Sequence, residues 1–360
     1  MHKLIVDAQM GVKEGEWMQR EIGTRGKLLN EQGKLNEVGY ATSLVLEYSR
    51  EDIQASKWRI KEWDYYLMMN KSYGAALTIA DNGYMGLVSV SILDFKNRRY
   101  HTKSHMVPFT FGKLALPKSS KKGDIRYVDE HVELYIFNGK EGRRLRCYMK
   151  NFNQEKPFEC EFLLTNPPKD SMVIATPFKG KSNAFYYNQK IVGMSAHGYA
   201  KTDKLFCTFR QSEAQALLDW GRGVWPYDST WYWGAAMGKV NDKNFGFNIG
   251  YGFGDTSAAS ENMLFYEGIA HKLEEVRFHI PELEGKVNYL APWKFTSSDG
   301  RFEMIFKPIL DRKDHAGGGF IVSDQHQVFG KYSGKVLLDD GTLINIEEVL
   351  GFAEKVHNKW

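Results

Sequence analysis

The chain has 360 residues, 42% of them apolar and 26% charged, with a formal net charge of +4 spread over evenly mixed Lys, Arg, Asp and Glu. That length exceeds one typical core, so two domains or one large all-β unit is expected, and the charge selects no polyanionic partner. Cys147, Cys160 and Cys207 are odd in number, far apart and never in a CxxC pair, which argues against a disulfide scaffold and a thiolate zinc site and fits a reducing cytoplasm.

Taken in chain order, "MHKLIVDAQMGVKEGEW" meets an acid after only three consecutive apolar residues, too few for a secretory core, and nowhere is there an apolar run of membrane length. The expectation is a cytoplasmic protein without an integral membrane segment. Ser49 before "REDIQASKW", with Asp52 three places on, resembles a capping box and predicts a short helix. "GAALTIADNGYMGLVSVSILDF" then alternates with period two on either side of Asp81, Asn82 and Gly83, a hairpin pattern. The basic runs at Lys118–Lys122 and Arg143–Arg146 read as solvated loop and strand edge, so no nucleic-acid partner is expected.

The midpoint near "NQKIVGMSAHGYA" offers a domain boundary, giving an N-terminal β-domain over 1–195 and a C-terminal one over 196–360. Beyond it, Ser212 and Gln215 form a second capping-box pattern. They predict a helix over "EAQALLDW", with Ala214, Leu217 and Leu218 on one face, Asp219 in the last turn and Gly221 as a left-handed stop. Further hairpins turn at Asp299–Gly300 and Asp340–Gly341, and Gly317–Gly319 reads as a flexible tip. Abundant glycine and aromatic residues with scarce helical periodicity make the fold class all-β with few short helices.

Function-capable groups are densest in "LLDWGRGVWPYDSTWYWG", which holds four of the nine tryptophans beside Asp219 and Arg222. On a strand, Trp231 and Trp233 share one face and Tyr232 takes the other. Core packing is the default for such aromatics. Ionic groups among them favour a site, although an Asp219–Arg222 clamp fixing the turn would also account for them. Downstream, Gly246, Gly250, Gly252 and Gly254 let the backbone pass close to bulky groups before Glu261 and Asn262 arrive together. "GYGFGD" lacks the following helix of a phosphate loop, and no nucleotide or other cofactor is expected. His197, His271 and His315 have no partner at metal-ligand spacing, and His101 and His105, four apart, lie in "RRYHTKSHMVPF", which reads as strand or loop and not as one helical face, so no metal is expected either. Asp219 and Glu261 are the catalytic candidates: if they share an apolar cavity, one is pushed neutral to act as general acid while the other stays ionised. Arg222, Trp225, Tyr227, Trp231, Trp233, Asn262 and His271 are the ligand-binding candidates.

The strings "DWGRGVWPYDSTWYWGAAMG", "FGFNIGYGFGDTSAASENMLFYEGIAHKLEEVRF", "PWKFTSSDGRFEMIFKPILDR" and "QVFGKYSGKVLLDDGTLINIEEVLGFAEKVHNKW" resemble the bacterial domain-of-unknown-function family 2804 over nearly the whole chain. More distantly the sequence resembles the two-domain lipocalin-like group of carotenoid hydratases, tocopherol cyclases and decalin-forming cyclases. That resemblance implies two antiparallel β-barrel or β-sandwich domains packed together, with a large apolar ligand in a barrel or between them.

Three functions follow as expectations. The first is binding of a hydrophobic or amphipathic molecule of isoprenoid, polyketide or acyl type in an aromatic-lined cavity, with or without cofactor-independent, acid-promoted hydration or cyclisation. The second is a carbohydrate-binding or glycan-active protein using a tryptophan platform and paired carboxylates. The third is a non-catalytic scaffold. Oligomeric state is not legible.

Overall fold

Period-two burial runs through the strands of the computed structural model, which describes residues 19–181, 183–318 and 321–359. Val132–Gly139 and Lys156–Thr165 bury alternate side chains, giving each strand one core face and one outer face. Ile60–Met69 and Gln215–Val224 are buried on both faces because a layer packs on each side of them. The readings made on the N-terminal segment to Trp17 and on Gly319 lie outside the described residues.

Apart from two short two-stranded pairs, Gly26–Lys27 with Leu46–Glu47 and Glu282–Leu283 with Lys286–Val287, the described strands form two curled antiparallel half-barrel sheets. The larger has 13 strands; its path runs from the edge strand Arg99–Pro108 through Met85–Asp94, Tyr73–Asp81, Ile60–Met69, Gln215–Val224 and Phe185–Lys201. It continues through Lys156–Thr165, Gly142–Asn153 and Val132–Gly139 to Ile125–Val128. The smaller has nine strands and centres on Asp228–Val240, Leu343–Lys359, Ile321–Leu337 and Phe302–Gly318. The chain passes from one sheet to the other between Val224 and Asp228. Position 195/196, where the sequence suggested a domain boundary, falls inside the strand Phe185–Lys201.

Each half-barrel encloses its own core: Leu77, Val90, Phe158 and Trp220 in the larger, Phe247, Trp293, Phe306 and Tyr332 in the smaller. A third apolar layer, including Leu67, Tyr186, Leu217, Trp233, Phe329 and Phe352, joins the two sheets. The expected all-β class and the hairpins at Asp81–Gly83, Asp299–Gly300 and Asp340–Gly341 are present.

Two helix expectations are corrected. After Ser49 only two isolated 3-10 turns form, Arg50–Asp52 and Lys57–Arg59, and the Ser49 side chain makes no cap bond. "EAQALLDW" is mostly strand: Gln215–Val224 pairs with Phe185–Lys201 on one side and Ile60–Met69 on the other, and those two ladders saturate its backbone more fully than a lone helical turn could. Gly317 and Gly318 are likewise paired, with Val322 and Ile321, in the longest hairpin.

Candidate functional site

Because Gln215–Val224 is a strand, its side chains alternate between layers. Ala216, Leu218, Trp220 and Arg222 point into the core of the larger half-barrel, while Leu217 and Asp219 point toward the smaller sheet. Asp219 and Arg222 therefore do not form a clamp. Arg222 is fully buried, donating to Asp64 Oδ1 at 2.9 Å and to the carbonyls of Trp63 and Pro117 at 2.7 and 2.8 Å, with its guanidinium 4.3 Å from the Trp220 ring. Gly221 is not a helix stop: the Trp63 indole lies across it, and an added Cβ would come within 2.1 Å of that ring.

Asp219 instead meets Lys190, which stands on the neighbouring strand in direct register with it. Lys190 Nζ donates to Asp219 Oδ1 at 2.9 Å, Asn188 Oδ1 at 3.0 Å and the Tyr186 hydroxyl at 3.2 Å, and sits 4.3 Å from the Trp233 ring. Asn188 Nδ2 and the Trp63 indole N–H complete the carboxylate, at 2.6 and 3.0 Å. A buried ion pair survives desolvation only with this kind of full complement of hydrogen bonds.

Between the two sheets lies a cavity of about 720 Å³, walled by Trp63, Trp225, Trp231, Trp233 and Phe253, with Lys190, Asp219 and Glu354 among its polar lining. The indoles meet edge to face, Trp225 with Trp63 at 5.7 Å and with Trp231 at 5.5 Å. Tyr232 points the other way, into the core of the smaller sheet, as strand parity requires. Across the cavity, Arg312 Nη1 donates to Ser91 Oγ at 2.8 Å, tying the sheets together.

Glu354 is the carboxyl on the smaller sheet's side. The Trp231 indole donates to its Oε1 at 3.0 Å and Gln327 Nε2 to its Oε2 at 2.8 Å. Burial pushes its pKa up to about 7, against the pull of those donors and of Arg312. Glu261 is also pushed up to about 7, burial again outweighing the attraction of Lys190. It stands behind the wall rather than on it, receiving the Tyr186 hydroxyl at 3.4 Å; its Oε1 is so close to Gly250 that a Cβ there would approach to 2.3 Å. Burial holds Tyr186 well above the usual phenol range, so it stays a neutral donor. Glu261, Tyr186, Lys190 and Asp219 thus form one hydrogen-bonded chain from behind the wall to the cavity.

Of the ligand-binding candidates, Trp225, Trp231 and Trp233 line the cavity and Arg222 does not. Asn262 braces the backbone, accepting from Gly250 N and donating to Glu274 O at 2.8 Å each. His271 faces Asp339 at 3.1 Å, and Tyr227 is an exposed residue of the crossover; neither lines the cavity.

With this geometry in place, comparison with known proteins assigns a family. The model described as "Domain of unknown function (DUF2804)" matches residues 19–360. The chain belongs to that family. No curated protein sequence matches it. Among solved structures it is similar to a protein described as an AttH from Nitrosomonas europaea, with TM-score 0.56, 14% identity and coverage of 86% of this chain and 96% of that one. It is also similar to kievitone hydratase from Nectria haematococca, with TM-score 0.51, 10% identity and coverage of 94% and 98%. At such identities these likenesses establish the fold, two lipocalin-like halves, and the functional argument rests on the site.

Lys190 and Glu354 were missed by sequence reasoning. Both left a signal: "FYYNQKIVGM" carries three consecutive polar residues inside an otherwise apolar strand, and in "LGFAEKVHNK" Glu354 shares the parity of Phe352 and Val356. A charged residue on an apolar face demands a buried partner.

Proposed function

We propose that the cavity between the sheets binds a hydrophobic or amphipathic small molecule of isoprenoid, polyketide or acyl type and promotes its hydration or ring closure by acid catalysis. The observation that carries this reading is a cavity whose walls are aromatic and whose polar groups converge at one place, the Asp219–Lys190 pair and Glu354. A volume of about 720 Å³ suits a molecule of drug to lipid size.

In this reading Glu354, whose neutral form is populated near pH 7, gives its proton to an alkene carbon of the bound molecule. The cation that forms on the neighbouring carbon faces the π clouds of Trp225, Trp231 and Trp233. For hydration, water attacks that carbon and its proton returns to the Glu354 carboxylate; for ring closure, a second double bond attacks and a C–H proton returns instead. Asp219, fixed by Lys190, Asn188 and Trp63, orients the water or a substrate hydroxyl. Hydration also agrees with the named activity of kievitone hydratase, a fold relative only.

The test is a tryptophan-fluorescence titration with isoprenoid alcohols, acyl chains, prenylated phenols and oligosaccharides, followed by turnover of each binder. Binding of apolar members with conversion lost in Glu354→Gln supports the reading. Response to oligosaccharides alone, or unaltered turnover in both Glu354→Gln and Asp219→Asn, sinks it.

A further inference from the structure

At one end of the molecule, large aromatic side chains face solvent in a contiguous ridge. Trp58 is 54% and Phe109 59% exposed. Trp58 stacks on Tyr84 at 6.2 Å and meets Phe111 at 5.2 Å, and Phe111 stacks on Phe109 at 6.3 Å. Such a patch on a water-soluble surface marks an interaction site.

The ridge is held rigidly outward. Phe109 and Phe111 both adopt left-handed backbone, φ 55° and 46°, a strained conformation for aromatic residues that the surroundings must enforce. Asp81 enforces it, accepting Gly83 N at 3.0 Å and Gly112 N at 2.8 Å, while Phe109 N and Phe111 N donate to Tyr84 O and Gly83 O at 2.8 Å each.

The ridge also leads into the cavity. Leu87 lines the cavity, and Met106, 48% exposed, stands directly opposite it on the edge strand that ends in Pro108, next to Phe109. Exposed Lys57 and Lys113 flank the ridge, whereas Asp81 is consumed in the turn and Glu51 is paired with Lys118 at 2.7 Å.

We propose that this ridge docks the protein on the surface of an anionic lipid bilayer, so that apolar molecules pass from the membrane into the cavity along Met106 and Leu87. The indole of Trp58 and the phenol of Tyr84 carry a polar edge beside the wholly apolar rings of Phe109 and Phe111, and this mixture, flanked by lysines, suits the boundary between headgroups and acyl chains. A second copy of the chain is a poorer occupant, since a two-fold contact would oppose lysine to lysine. The inference extends the cavity-binding reading, but vesicle binding is measured without any cavity ligand, so the two fail separately.

The experiment is cosedimentation of the full chain with vesicles of phosphatidylcholine alone or with added phosphatidylglycerol, beside the double variant Trp58→Ser/Phe109→Ser, changed at two exposed positions and checked by circular dichroism for the native spectrum. The expected result is binding that needs the anionic lipid, weakens with salt, and falls roughly tenfold or more in the variant. Three results would overturn the proposal: no binding by the native chain, equal binding to neutral vesicles, or equal binding by the variant. So would a dimer in sedimentation velocity that the variant abolishes while vesicle binding persists.

Discussion

Two buried ion pairs stand on opposite faces of the strand Gln215–Val224 and have opposite surroundings. Arg222–Asp64 is sealed inside the larger half-barrel, its guanidinium engaged by Trp63 O, Gly221 O and Pro117 O as well as by the carboxylate. Lys190–Asp219 is equally well bonded but lies on the wall of the cavity, under the Trp233 ring. The contrast shows that burial and pairing alone do not mark a site; what distinguishes the second pair is space beside it for another molecule.

The comparison is broken most sharply by removing one partner at a time. Arg222→Met strands Asp64 in an apolar core and is expected to lower stability by about 3–5 kcal/mol, while leaving ligand affinity of the folded fraction unchanged. Denaturant melts and fluorescence titration check both halves. Asp219→Asn keeps the size of the side chain but leaves buried Lys190 without its counter-charge, with only the Asn188 and Tyr186 oxygens as partners, so a stability loss of the same order, about 3–5 kcal/mol, is expected. Its turnover should fall by roughly 10²-fold or more.

The strand itself explains what was legible beforehand. Parity placed Trp231 and Trp233 on one side and Tyr232 on the other, and the hairpin turns were readable because Asp-Gly and Asn-Gly pairs satisfy tight turns locally. "EAQALLDW" misled because its apolar spacing suits a helix, whereas its backbone is claimed by strands from distant parts of the chain. For the same reason Asp219 was selected but its partner was not: Lys190 is 29 residues away and reaches it only through sheet register. Glu261 was chosen as a catalytic candidate on the condition that it share one cavity with Asp219; it does not line that cavity, and the chain through Tyr186 and Lys190 links it to Asp219 from behind the wall. Glu354 lies 123 residues from Trp231, beyond any local pattern.

Titration sharpens the comparison further. Glu354 and Glu261 rise from 4.5 to about 7 on folding, so between those values the folded chain holds more protons than the unfolded one. Stability therefore declines as pH rises from 4.5 through 7, by on the order of 3 kcal/mol for each group. Melts across this window should show the decline, and Glu354→Gln should remove about half of it. Lys61, pushed down to about 7 by burial, acts in the opposite sense: stability recovers as pH rises from 7 toward 10.5. The smallest effect is expected of Trp231→Phe, which deletes the indole donor that lowers the Glu354 pKa. The pH midpoint of turnover should move upward by less than about 1 unit, read from a rate profile beside the native chain.

The measurement closest to the central claim is a crystal structure of the chain with whichever apolar ligand quenches its tryptophan fluorescence. The account predicts the ligand between the sheets, against Trp225, Trp231 and Trp233, with a polar or unsaturated group turned toward Asp219 and Glu354. A ligand inside either half-barrel, or bound only at the surface, would contradict it.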